Sequence, residues 1–224
     1  MSLYLYINLA IIAVPLILSF EKRIRYYSKL KYVFVSILFI GTLFVLWDVF
    51  ATYRGHWSFN SFYVLELELL GLPIEEILFF ITVPFSCLFA YEGLAYFLQE
   101  KKIGLPDKLV RAVGVIFILL SSLFFNQEYT FLAVLSVGLT LLFASILLSG
   151  LFGSTLYWTY IGVTFLLFFI FNYILTSVPI VEYSPAAITG FRATTIPIED
   201  FMFNFSLLTL YLTVYLWVSR KSQN

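Results

Sequence analysis

The sequence has few charged residues and no excess of either sign. Only 12% of its 224 residues are charged, and 13 Lys and Arg balance 13 Asp and Glu. A protein that binds nucleic acid neutralises phosphate groups with a basic surface. The balance of charges therefore gives no sign of a nucleic-acid partner.

Cysteine and histidine are scarcer still. The chain has one cysteine, Cys87, and one histidine, His56. A single cysteine excludes an internal disulfide, and the two residues together are too few for a conventional zinc site. We interpret Cys87 as a small core residue and His56 as a residue at the membrane interface, and we expect no metal site.

Apolar residues, by contrast, dominate the composition. The chain is 62% hydrophobic with a mean hydropathy of +0.97, and it contains 26 Phe and 16 Tyr. A soluble domain of this size does not need so much apolar surface, so we expect the lipid bilayer to be its solvent. The aromatic residues are more numerous than belts at the membrane interfaces require. We therefore expect many of the rings to line an interior cavity, where they can contact a large apolar ligand.

Seven apolar segments have about the ~20 residues that a membrane crossing needs. The first lacks a basic leader and a small-residue cleavage site, so we interpret it as a retained span and not as a signal peptide. The boundary between the fourth and fifth segments depends only on Asn126, Gln127 and Glu128. The predicted spans are 3–20, 32–51, 73–98, 112–125, 129–149, 155–177 and 196–219.

The loop charges predict how the chain is oriented. With seven spans, eleven basic residues fall on one side of the membrane, and only Arg54 and Arg192 fall on the other. The positive-inside rule then places the N-terminus outside and the C-terminus in the cytoplasm of a multi-pass cell-membrane protein. The eleven residues are Lys22, Arg23, Arg25, Lys29, Lys31, Lys101, Lys102, Lys108, Arg111, Arg220 and Lys221.

An acidic motif occurs twice, each time at the start of an apolar segment. Residues 73–76 read PIEE, and residues 197–200, 124 positions later, read PIED. The same offset relates Asp48 to Asn172. We therefore predict an all-α membrane protein of two parallel three-helix repeats, residues 1–111 and 128–224, joined by a linker helix at 112–127. Both motifs then lie toward the non-cytoplasmic side.

The two motifs predict a site that handles protons. A proline in the first turn starts a helix, and the acids that follow it lie at the positive end of the helix dipole. Ionised carboxylates are costly at membrane depth, so four of them in matched positions favour one protonated acid in each pair. One acid of a pair can face the repeat interface while the other faces a loop or Arg54 or Arg192. The four acids are Glu75, Glu76, Glu199 and Asp200.

These residues carry a family resemblance. The run GLPIEEILFFITVP at 71–84 resembles the signature of the membrane-integral lycopene cyclases, and TIPIEDFMFN at 195–204 resembles their second half. The resemblance covers nearly the whole chain, which looks like a fused version of a two-subunit enzyme. The second copy differs at Asp200, which replaces a glutamate, and at Asn204, which stands where the first copy has Phe80.

The resemblance implies conversion of the linear ends of lycopene, or of a similar linear carotenoid, to β-rings, giving β-carotene through γ-carotene. Such a cyclisation needs a neutral acid as proton donor, a carboxylate as acceptor and a dry site. Aromatic faces would stabilise the carbocation. We expect the four acids to be catalytic, Asp48 and Asn172 to support them, and aromatic contacts from Trp47, Trp57, Phe79, Phe80, Tyr91 and Phe203.

Other functions compete with this prediction. A proton-coupled membrane transporter or a non-catalytic carotenoid-binding protein would also place carboxylates between repeats. A retinal protein is disfavoured because the last span has no lysine before Lys221, and a prenyltransferase because only Arg54 and Arg192 lie near the acids. No Gly-rich dinucleotide motif follows a strand, so we expect no cofactor. Homo-oligomers or association with other carotenoid enzymes stay open.

Overall fold

A computed structural model describes residues 2–222, and most of them are helical. Five of the helices are long and apolar enough to cross a membrane, which makes the chain a membrane protein. Within the described range the main helices are α1 Leu3–Leu18, α2 Tyr26–Tyr53, α3 Ile74–Phe97, α4 Asp107–Ser121, α5 Glu128–Leu147, α6 Thr155–Ser177 and α7 Ile198–Lys221.

Each predicted span coincides with one of these helices, although the bounds differ. The helix α2 begins six residues before the predicted span because a 3₁₀ turn, Tyr26–Lys29, precedes its α-helical part. At 16 and 15 residues, α1 and α4 are shorter than a typical crossing. The number of crossings therefore stays a prediction.

The helix α4 packs closely along α5. A Cβ atom on Gly138 would lie 2.7 Å from the carbonyl oxygen of Gly114, so only glycine allows this approach. Small residues permit such contacts between helices in a membrane, where van der Waals packing drives association. The segment that we predicted to be a linker helix thus lies against α5.

Short strands lie between the helices, and the prediction of an all-α fold left them out. Segments of two or three residues are too short to show the alternation that reveals a strand. The strands β2 and β3 form a hairpin just before α3, and β5 and β6 form one just before α7. The strands are β1 Trp57–Phe59, β2 Glu68–Leu69, β3 Leu72–Pro73, β4 Val181–Tyr183, β5 Arg192–Ala193 and β6 Ile196–Pro197.

The strands recur at the same offset of 124 residues as the acidic motifs. The two hairpins occupy equivalent positions, and β1 and β4, which are also equivalent, pair with each other. Their antiparallel register places Ser58 opposite Glu182, its own counterpart in the second half. Because the two equivalent strands pair symmetrically, a local two-fold axis passes between them. The hairpins that follow them in the chain lead directly into α3 and α7.

The end of the bundle away from the strands is joined by an ion pair. Lys29 contacts the buried carboxylate of Glu92, which also accepts a hydrogen bond from Tyr215. The sequence places Lys101 nearer to Glu92 along the chain, but the partner in the structure is Lys29. The pair connects α2, α3 and α7 on the side opposite the acidic motifs.

Candidate active site

All four acids of the two motifs are buried at the first turns of α3 and α7. Glu75 and Glu199 are 0% exposed, Asp200 is 4% exposed and Glu76 is 9% exposed. Each helix begins directly after the proline that ends its hairpin, so the hairpin fixes where the acids point. The acids therefore do not lie among lipid headgroups or in bulk solvent.

The first acid of each motif binds the polypeptide around it. Glu75 Oε1 accepts a hydrogen bond from the backbone N–H of Leu65 at 2.7 Å and one from the hydroxyl of Ser2. Glu199 Oε1 accepts a hydrogen bond from the backbone N–H of Thr189, the counterpart of Leu65, at 2.8 Å. It also accepts hydrogen bonds from the hydroxyls of Thr130 and Thr189, at 2.6 and 2.8 Å. Each carboxyl thus fastens the preceding loop and the first helix of its half to the motif.

The second acid of each motif faces a shared chamber. Glu76 and Asp200 line the same cavity, of about 70 Å³, together with Asp48 and Asn172. Adjacent residues on a helix point about 100° apart, which explains why one acid of each pair turns inward and the other does not. The structure thus brings together Asp48, Glu76, Asn172 and Asp200, and it leaves Glu75 and Glu199 outside the chamber lining.

Besides Asp200, two carboxyl groups line the chamber. Glu76 and Asp48 both line this cavity, and Asp48 Oδ2 has no hydrogen-bond partner within residues 2–222. Tyr4 donates to Glu76 Oε2 at 2.5 Å, and Trp57 Nε1 donates to Asp48 Oδ1 at 2.8 Å. Two buried carboxyl groups in one small chamber disfavour the ionisation of both, so one of the two is expected to keep its proton.

The third carboxyl group of the chamber is surrounded by donors. Asp200 accepts hydrogen bonds from the hydroxyls of Tyr129 and Tyr183 at 2.7 Å each, and from Asn172 Nδ2 at 2.8 Å. Several donors stabilise the ionised form of a carboxyl group. Burial, with the nearby Asp200, raises the pKa of Tyr183, so this loop phenol stays protonated as a donor at neutral pH.

Aromatic rings form much of the remaining chamber lining. The predicted residues Trp57, Phe79, Phe80 and Phe203 all line it. Trp47 lies behind them, with its ring centroid 5.2 Å from that of Phe203. Tyr91 does not reach the chamber; it packs against Tyr160, at a ring distance of 5.7 Å.

The two arginines have partners other than the acids. Arg54 donates to Glu128, and Arg192 donates to the backbone oxygen of Thr195 at 2.6 Å. The guanidinium of Arg192 lies 5.9 Å from the ring of Tyr183, and the hydroxyl of Tyr183 in turn donates to Asp200. We expected one acid of each pair to face a loop or an arginine, and the structure shows the loop: Glu75 and Glu199 bind loop N–H groups.

His56, which we interpreted as a residue at the membrane interface, is buried within the protein. It is 2% exposed, and its Nε2 lies 2.9 Å from Glu128 Oε2, so Glu128 joins His56 to Arg54. In the sequence Glu128 marked only a helix boundary. Its contacts depend on the loop between α2 and β1, which no sequence pattern predicted.

Three tyrosines were missed as functional candidates: Tyr4, Tyr129 and Tyr183. Tyr4 and Tyr129 lie near the starts of α1 and α5, the first helix of each half, and each donates to the chamber acid of its own half. Only this shared position could have singled them out among 16 tyrosines. Among residues 2–222, no three His, Cys, Asp or Glu are arranged to hold a metal ion.

Comparison of the sequence with known families assigns the chain to one of them. The sequence matches the family model described as lycopene cyclase over residues 1–94 and 126–218. The chain belongs to the lycopene cyclase family. The two matched stretches correspond to the two halves that carry the acidic motifs, as in a fused two-repeat cyclase, and the linker helix α4 lies between them. Comparisons with curated proteins and with solved structures found no match.

Proposed function

We propose that this carotenoid cyclase closes β-rings on the ends of lycopene, or of a similar linear carotenoid, by redox-neutral acid–base catalysis. Family membership supports a linear carotenoid as substrate. The observation that carries the reaction is the chamber itself, in which a carboxyl pair and a carboxylate with three donors face each other across aromatic rings.

We also propose that the helices cross the membrane seven times, as two parallel three-helix repeats, residues 1–111 and 128–224, around the linker at 112–127. The matched hairpins and the pairing of β1 with β4 support this arrangement. The basic loops favour a cytoplasmic C-terminus and an outer N-terminus. The acid chamber then lies toward the non-cytoplasmic side.

The proton donor in this proposal is Glu76, which shares a proton with Asp48. The proton adds to the terminal alkene of the carotenoid end group and leaves a tertiary carbocation. The next double bond attacks the cation and forms the ring carbon–carbon bond. A neutral acid in a dry site is suited to this step because an alkene is a weak base and water would capture the cation.

Asp200 acts as the stabilising anion and the proton acceptor. Its three donors hold it ionised and fixed in place, so its charge attracts the cation without reorganisation of the site. Loss of a proton from the ring carbon next to the cation restores a double bond and gives the β-ring. One proton enters and one leaves, and no electrons are exchanged.

This reaction is tested with purified protein in lipid nanodiscs supplied with lycopene in D₂O. The exchangeable carboxyl proton becomes deuterium, so each ring that closes should carry one deuterium and raise the product mass by one unit. The reaction should run without added flavin or metal. Recovery of unchanged lycopene would contradict cyclisation and would leave transport or carotenoid binding, and a ring without deuterium would contradict protonation by a carboxyl.

A further inference from the structure

Two apolar grooves lie at equivalent places in the two halves of the chain. The first groove lies between α1, α3, α6 and α7, and the second between α2, α5 and α7; their volumes are about 300 and 550 Å³. Residues 124 positions apart line both grooves. Three such pairs are Ile11 and Leu135, Pro15 and Leu139, and Leu167 and Leu43.

The first groove is continuous with the acid chamber. Five residues line both spaces, and they include Asn172, the donor to Asp200. The outer end of the groove reaches the helix surface at Ala10 and Val14, and Val14 is 60% exposed. An apolar path thus connects the lipid-facing surface with the acids. The shared residues are Phe79, Phe168, Asn172, Leu175 and Asn204.

The second groove ends at a wall of aromatic rings. Phe44 and Trp47 line it, and both pack edge-on against Phe203 with centroids 5.2 Å apart. Phe203 lines the chamber, and within residues 2–222 no side chain lines both the chamber and this groove. Phe80, the counterpart of Asn204, lines the chamber and lies 6.5 Å from the ring of Phe203, so it adds a large ring on the side of the second groove.

We propose that the carotenoid reaches the acids sideways from the bilayer through the first groove alone, with one end in the chamber and the rest of the polyene between α1 and α6. This proposal rests on the cyclase function. It adds the route by which the carotenoid enters, and it states that only one end of the carotenoid is bound at a time. A hydrocarbon chain needs no hydrogen-bond partners, and the groove lining is almost entirely apolar. A second ring then requires the half-cyclised product to leave and return reversed.

The test blocks each groove separately. Ala10→Trp fills the mouth of the first groove, and Asn204→Phe introduces the residue found at the equivalent position of the first half, Phe80. Leu139→Trp, in the second groove, is the matched control. Two quantities are measured for each variant: the rate of ring formation from lycopene, and the amount of lycopene that copurifies with the variant in a Glu76→Gln background.

We expect Ala10→Trp and Asn204→Phe to lower both quantities at least about tenfold, because a large side chain competes with the polyene for a packed space. Leu139→Trp should stay within about twofold of the unmodified protein, since it fills a space that does not reach the acids. Ala10 is at the exposed surface, so its replacement leaves the packed core intact. If Asn204→Phe fails to fold, Ala10→Trp and Leu139→Trp decide the question.

Wild-type rate and binding in Ala10→Trp, or a loss confined to Leu139→Trp, would overturn the assignment of the groove. Failure of the proposed function has a different signature, because the unmodified protein would then close no ring. The release step has its own readout. Excess unlabelled monocyclic carotenoid should dilute the label that passes from lycopene into the bicyclic product, and undiluted label would contradict release between the two rings.

Discussion

The two acids that face the chamber, Glu76 and Asp200, hold equivalent positions in the chain but have different neighbours. Glu76 shares the chamber lining with a second carboxyl group, that of Asp48, whereas Asp200 accepts hydrogen bonds from the amide of Asn172 and from two phenols. The position equivalent to Asp48 is Asn172. A single difference between aspartate and asparagine thus makes one cluster a pair of acids and the other a lone carboxylate among donors.

In the proposed mechanism, this difference gives the two equivalent acids opposite roles in one reaction. The repeat places two carboxyls at the starts of two helices, where they face one chamber from both halves. We propose that the neighbours separate their protonation states, which is the general way in which two carboxyls become an acid and a base. The symmetry provides the positions, and the asymmetry provides the chemistry.

The largest effect is expected from Glu76→Gln, which removes the proposed donor. Ring formation should fall by about 10²–10⁴-fold, the usual contribution of a general acid. Glu75→Gln is the matched control, because the neighbouring acid binds Leu65 and Ser2 outside the chamber. Per folded molecule, Glu75→Gln should remain far more active. Equal losses in both variants, after correction for the amount of folded protein, would contradict the division of roles.

A second variant makes the two clusters alike. Asn172→Asp gives Asp200 a carboxyl neighbour and removes a donor that lies 2.8 Å away. The loss of a hydrogen bond to a charged group predicts a rate about 10- to 100-fold lower. Asn172→Leu serves as the comparison, since it removes the donor without adding an acid. A rate for Asn172→Asp above that of Asn172→Leu would mean that a second carboxyl does no harm there.

Removing one phenol hydroxyl from each cluster tests which of the two acids is ionised. Tyr183→Phe removes a donor to the ionised Asp200, and Tyr4→Phe removes a donor to the carboxyl pair at Glu76. A donor stabilises a full charge more than it stabilises a neutral acid, so Tyr183→Phe should lower the rate by about tenfold and Tyr4→Phe by less. Initial rates of both variants check this order. The reverse order would place the ionised carboxyl at Glu76.

The smallest effect on chemistry is expected from Thr130→Val. Thr130 donates to Glu199, which fastens the second motif to α5 but does not line the chamber. The change should lower stability by about 1–3 kcal/mol because a buried acceptor loses a partner, while the rate per folded molecule stays near wild type. Thr140→Val is the control on the same helix, since the buried Thr140 hydroxyl has no partner within the described chain. Thermal unfolding in detergent measures both variants, and equal stability of the two would contradict the role of Thr130.

Much of the site follows from the sequence, and the limits have physical reasons. The repeated motifs identified the four acids, and the offset between them identified Asp48 and Asn172. The choice between Glu75 and Glu76 did not follow, because the hairpins before the helices decide which acid turns inward. The three tyrosine donors had no motif, and the pairing of β1 with β4, which brings Tyr183 to the chamber, joins segments more than 120 residues apart.

Protonation of the chamber carboxyls tests the central claim most directly. Infrared spectroscopy of the protein in lipid at neutral pH detects a protonated carboxyl by its carbonyl stretch, and single variants assign the band. We expect a band that is lost in Glu76→Gln and retained in Asp200→Asn, since the proton belongs to the pair at Glu76. A band that persists in Glu76→Gln but disappears in Asp200→Asn would contradict the account.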